Sequence, residues 1–286
     1  MLMHPAAPQC LRDLVEAYAQ TAQSVIDLAR GCSEDDLALP TDCPGWTVHN
    51  QISHVAGVEV WLSGLKDPRV EVPPYEHVRS VLGRKVEYAV EVRRGRTGAE
   101  VVAELEDVLA RRLSTLRNPA LTDTSIIAGP FGPDQASTVM LLRTFDIWTH
   151  EQDIRTALGR PGNLSSPAAA VTVSSIMSQL PRLIAKGAVL EPGSRVIIDV
   201  TGPVVARQGV LVEMDEHGRL RGHPTSDDSG PASDHPPDDQ ETTISLSTEA
   251  VTRRAAGRRS VSDTAYSVVG DEATARRVME ALTLTL

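Results

Sequence analysis

Residues 137–158, STVMLLRTFDIWTHEQDIRTAL, decide how this chain folds. Their apolar positions recur at the helical period, not in alternation. With Asp146 set to zero on a helical wheel, His150 falls at about +40° and Asp153 at about −20°. Met140, Ile147, Ile154 and Leu158 gather near about +100°, an apolar stripe beside that polar face. The spacing predicts one long helix, entered from a Gly/Pro-rich loop at 128–133 and stopped by Gly159, Pro161 and Gly162. A carboxylate and a histidine at i and i+4 reach one ion from successive turns. Asp153 is then placed to accept the second ring N–H of His150. The plain alternative is a solvated face with a weak Asp–His pair, worth a few tenths of a kcal/mol (~0.3).

Upstream, the chain keeps the same period. Residues 8–31 carry Leu11, Leu14, Val15, Tyr18, Val25 and Leu28 at helical spacing. Ser33 before Glu34, Asp35 and Asp36 has the makings of a capped short turn. A loop from Leu39 to Trp46 leads to Thr47, which can cap a helix running to about Ser63. Segments 75–94 and 97–117 read as two more helices, with Val81, Val86, Tyr88, Leu105, Val108, Leu109 and Leu113 as candidate buried positions. Long helices joined by loops imply an all-α four-helix bundle over residues 1–165.

Downstream, the period changes. After a helix at about 167–187, segments 195–201 and 209–214 read as strands, the second ending at a turn with His217 and Gly218. Residues 223–241 are acidic, proline-rich and poor in apolar groups, a composition that predicts a flexible loop. Strands at 242–247 and 265–269 and helices at 248–257 and 271–282 complete a small α+β domain over 166–286. No internal repeat, glycine-rich phosphate loop or nucleophile elbow is present in the sequence.

Composition narrows the function classes. The chain has 286 residues, 41% hydrophobic and 23% charged, with a formal net charge of −10. An acidic surface repels phosphate backbones, and 3% aromatics supply few stacking platforms, so nucleic acid is not an expected partner. No apolar run reaches transmembrane length, and residues 1–20 lack a basic start followed by an apolar block, so neither a membrane nor a secretory signal is expected. Cys10, Cys32 and Cys43 form no paired-cysteine motif, which suits a reducing, cytoplasmic compartment.

The helix after Trp46 supplies the second candidate group. Val48, Ile52, Val55 and Leu62 form its apolar stripe, and His54 lies about 120° from the stripe's centre, on a face shared with Val58 and Trp61. A histidine beside a tryptophan reads as partly buried or pocket-lining. Glu59 falls inside the apolar stripe, an odd place for a charge and a candidate outer partner of a site. His49 reads as exposed, His77 as lacking partners, and His217, His223 and His235 as surface. Trp46 and Trp148 read most simply as packing residues that hold the two motif helices, with an edge of the pocket as the alternative for either. If the two helices are neighbours, His54, Asp146 and His150 supply three ligands to a divalent metal and leave a position open, the catalytic pattern. A mixed nitrogen and oxygen set admits zinc, the first expectation, or nickel, iron or manganese.

Two motifs then carry a resemblance. Cys43-Pro44-Gly45-Trp46-Thr47-Val48 with His54, and Phe145-Asp146-Ile147-Trp148-Thr149-His150 through Pro161, are similar to the signatures of the mycothiol-dependent maleylpyruvate isomerase family. The resemblance implies a DinB-like metal-binding N-terminal domain with His54, Asp146 and His150 as its ligands. It also implies a smaller, sterol-carrier-like C-terminal domain, whose substrate arginine would be Arg258, within the run Arg253, Arg254, Arg258 and Arg259. The family enzyme carries Glu where Asp146 stands, one methylene longer. The implied cofactors are a divalent metal and mycothiol. The implied partners are a low-molecular-weight thiol and a small electrophile, joined by isomerisation or S-transfer. The alternative is a non-catalytic binding protein with a degenerate site, and a third reading is a regulatory module acting through the acidic loop.

Overall fold

The computed structural model describes residues 1–225 and 241–284. The chain divides into two compact units, Pro8–Asn163 and, separately, Met1–Ala7 with Leu164–Leu286. Helices build the first unit, and a mixed sheet with helices builds the second.

The first unit comprises α1 (Leu11–Arg30), α2 (Glu34–Leu37), α3 (Val48–Leu62), α4 (Val81–Glu91), α5 (Gly98–Leu116) and α6 (Ala136–Ala157). Helix α1 packs on α5 and α6, and α3 packs on α4, α5 and α6. The apolar stripes read from the sequence face inward: Leu14, Val15, Tyr18 and Val25 of α1, Ile52 and Val55 of α3, and Met140, Ile147 and Ile154 of α6 are all buried. Capping boxes start α2 at Ser33 and α3 at Thr47, each side chain taking a backbone N–H three residues on. Helix α3 is buried almost all round, from Asn50 to Val60 without a break, so its polar side chains must find partners inside the protein.

The 75–94 segment departs from expectation. Only Val81–Glu91 is helical, because Ser80 caps it by accepting the N–H of Gly83, and the residues before Ser80 form turns. Its buried residues are Glu87, Ala89 and Val90, whereas Val81 is exposed. The burial of Glu87 is possible because three side chains donate to it, a compensation the apolar pattern does not register.

The second unit holds α7 (Pro167–Leu183), β4 (Arg195–Thr201), β5 (Val205–Met214), β6 (Leu220–Thr225), β7 (Glu241–Leu246), α8 (Thr248–Ala255), β8 (Tyr266–Val269) and α9 (Glu272–Ala281). The sheet runs β1-β5-β4-β7-β8, with β6 also on β5; β1 (Leu2–His4) comes from the chain's start. Among the described residues, β4 and β7 are the one pair that runs parallel. The short strands β2 (Ile126–Ile127) and β3 (Asp134–Gln135) make a hairpin before α6 in the first unit. Residues 1–7, read as part of the helical domain, belong instead with the sheet, since Leu2–His4 extend along an open stretch of β5. The helix expected to about 187 ends at Leu183 and continues as a π-helical turn, Ile184–Ala188, just after Pro181, which lacks a backbone donor. Of the expected loop 223–241, residues 223–225 finish β6 and Glu241 opens β7; the remainder lies outside the described residues, as does His235.

Candidate metal centre

Helices α3 and α6 bring their histidines together. One ligand atom each from His54, Asp146 and His150 can be chosen so that all lie within 4.8 Å of one another. His54 Nε2 is 3.3 Å from Asp146 Oδ2, and His150 Nε2 is 3.5 Å from Asp146 Oδ1. The imidazole centroids are 4.4 Å apart and edge-on. The two histidine side chains are 5% and 8% exposed and the Asp146 side chain 35%, so solvent reaches the group from the carboxylate side. The shorter aspartate therefore still reaches both imidazoles. Two imidazole nitrogens and a carboxylate oxygen make a donor set that fits a borderline divalent ion.

The charges around the group are set by burial and by neighbours. Burial pulls the His54 pKa down to about 4, against the pull of Asp146. Burial also acts downward on His150, but the carboxylates of Asp146 and Asp153 outweigh it and leave the imidazole above its ordinary value. Burial would raise Asp146, yet Arg143 and the two histidines hold it well below the usual carboxylate range.

Around the ligands lies a layer that the sequence reading saw only in part. Glu59 is fully buried, and it accepts from Arg112 Nε at 3.1 Å and from Arg143 Nε at 2.9 Å. Arg143 in turn donates to Asp146 Oδ2. The odd placement of Glu59 thus marks an outer partner of the site. Asp153 Oδ2 stands 3.5 Å from His150 Nδ1, an ion-pair distance, but a closer partner there is Gln51 Oε1 at 2.5 Å. Gln51 gave no signal, being one more polar residue on a helix that is buried on nearly every side.

Trp46 does more than pack. Its ring centroid is 5.1 Å from that of His54 and 5.7 Å from that of His150, and its indole N–H donates to Glu87 Oε2. His77, read as lacking partners, hydrogen-bonds the same Glu87 oxygen at 2.9 Å and stacks on Tyr75. Gly45, at φ +78°, lets the loop pass: a Cβ there would lie 2.2 Å from His77 Nδ1. His49, read as exposed, is half-buried and donates from Nε2 to the Arg96 carbonyl. Trp148 donates to the Asn163 carbonyl. His217 and His223 are exposed, as expected.

The arginine run sits in the second unit. Arg254 is committed to structure, donating to the carbonyls of Met279, Arg259 and Glu280. Arg253 is buried, and Arg258 is half-buried with its guanidinium on the Ala256 carbonyl.

Comparison with known proteins follows the same lines. No curated protein matches the chain in sequence. Two crystal structures, of a mycothiol-dependent maleylpyruvate isomerase and of a histidine-to-alanine mutant of it, share its fold. TM-scores are 0.50 and 0.54 respectively, at 16% identity, over 90% of this chain and 92% of theirs. The family model described as the mycothiol maleylpyruvate isomerase N-terminal domain matches residues 18–155, which include both motifs and all three candidate ligands. Residues 18–155 thus match the mycothiol maleylpyruvate isomerase N-terminal domain family.

Proposed function

We propose that this protein is a metal-dependent, mycothiol-using enzyme that activates the thiol for isomerisation of, or S-transfer to, a small electrophile. The observation that carries this reading is the convergence of His54, Asp146 and His150 on one point from two helices. We assign these three as ligands of a divalent ion, zinc first and nickel, iron or manganese as alternatives. Bound to sulfur, such an ion favours thiolate over thiol and so supplies a nucleophile without a protein cysteine. The chain's own residues prepare the site. His54 stays neutral to about pH 4, so its ring nitrogen is free to coordinate at neutrality. Asp146 is anionic, and the Arg143 guanidinium holds one of its oxygens. Trp46 lies against both imidazoles and shields them from water.

Within this reading the α1, α3, α5 and α6 helices form a DinB-like four-helix bundle within Pro8–Asn163. The second unit is a sterol-carrier-like domain that contributes Arg258 toward an anionic substrate group. The enzyme works in the cytoplasm. Elemental analysis of the purified protein, with a mycothiol conjugation assay on a model electrophile, tests the proposal. Stoichiometric metal in the wild type, lost in Asp146→Ala and in His150→Ala, supports the ligand assignment; full occupancy in both variants removes it. Metal without thiol turnover would favour the rival reading of a non-catalytic binding protein.

A further inference from the structure

The loop before α3 is tied to the site through a chain of side chains that touch no candidate ligand except at its end. Gln51 is fully buried. Its Nε2 is 2.7 Å from Thr41 Oγ1, and its Oε1 is 2.5 Å from His150 Nδ1. Thr41 Oγ1 lies 2.9 Å from the Trp46 carbonyl oxygen, which can only accept. The single hydroxyl hydrogen of Thr41 is therefore spent on Trp46, and toward Gln51 that oxygen must accept. This orients the amide. Its NH2 faces Thr41, its carbonyl faces His150, and Nδ1 must bear a hydrogen. Reversing the amide would pull the Thr41 hydroxyl off the Trp46 carbonyl and present N–H groups to Nδ1.

We propose that Thr41 and Gln51 form a positioning relay that fixes His150 with its retained proton on Nδ1, so that the Nε2 lone pair points at Asp146 and His54. The relay joins the Cys43–Thr47 motif loop to the α6 motif, and so couples the two signatures mechanically. It deepens the metal reading and depends on it for its purpose, although the ring's tautomer is a property of the metal-free protein. Asp153 Oδ2 faces the same nitrogen too, but at 3.5 Å it is the longer contact, against 2.5 Å for Gln51 Oε1. Gln51 is therefore the residue that orients the ring.

Two measurements test this. In metal-free wild type with labelled histidine, long-range proton–nitrogen correlation of neutral His150 should show the Nδ1–H form. The Nε2–H form would overturn the relay. In cobalt(II) titrations, Gln51→Leu and Thr41→Val should each weaken binding about 10- to 100-fold. Thr41→Ser, which keeps the hydroxyl, should restore most of the loss seen in Thr41→Val, and Asp153→Asn should lose less than Gln51→Leu. Unchanged affinity in Gln51→Leu, or a larger loss in Asp153→Asn, would overturn the proposal. Circular dichroism of each metal-free variant separates misfolding from lost orientation, and Thr41→Ser covers a Thr41→Val variant that misfolds. Wild type that takes up no cobalt would sink the metal reading itself, and the tautomer measurement would still decide the relay.

Discussion

His54 and His150 share one carboxylate, yet burial and charge move them in opposite directions. His54 falls to about 4 because nothing compensates its burial fully, whereas His150 rises because Asp146 and Asp153 both face it. A coordinating imidazole nitrogen must be free of its proton. Below the raised pKa of His150, metal and proton compete for that ring; His54 offers no such competition until the pH nears 4. Apparent cobalt affinity is therefore expected to fall on acidification by about tenfold per pH unit below the His150 pKa, and to level off above it. Titrations across neutral pH in buffers of different ionisation enthalpy check this, since about one proton should be released per ion bound where His150 is protonated. A flat affinity profile would contradict the assignment of His150 as the competing group.

The elements α3, α5 and α6 are joined through Glu59. Its carboxylate has no water to turn to and sits between two guanidiniums, Arg112 from α5 and Arg143 from α6. Removing one partner of a buried ionic group costs more than the group contributes, because the remaining charge stays in a low-dielectric interior. Glu59→Ala is expected to cost roughly 3–5 kcal/mol in urea unfolding. It should also free Arg143 to draw more strongly on Asp146, so that cobalt affinity falls as well. A loss under about 1 kcal/mol would mean that the two arginines find other partners. The start of α3 gives a smaller, separable effect. Thr47→Ala removes the side chain that accepts the Asn50 N–H, and should cost about 1 kcal/mol.

At the scale of the whole molecule, a helical unit carries the candidate metal centre and a second unit carries the arginine run. The sheet of that second unit depends on close approach. A Cβ on Gly222 of β6 would lie 2.2 Å from the carbonyl oxygen of Pro181 in α7, and backbone cannot swing aside as a flexible side chain can. Gly222→Ala should therefore lift α7 from the sheet at a cost of about 1–3 kcal/mol. Amide exchange would show it as lost protection in β6 and α7; unchanged protection there would refute the tight packing. The sequence by itself determined the helices of the first unit, the strand-bearing character of the second, and the three candidate ligands. Those features are written in period and spacing, which a single chain segment carries alone. Val48, Ile52 and Val55, or Asp146 and His150, declare a face without reference to any neighbour. Only the tertiary structure decided the rest: that Gln51 rather than Asp153 makes the close contact to His150, that Glu87 is buried beneath Trp46 and His77, and that Leu2–His4 join β5. Each of these is a contact between segments remote in the chain. A buried polar side chain is tolerable only if its partner arrives from elsewhere, and the identity of that partner is set by packing, which local pattern does not encode.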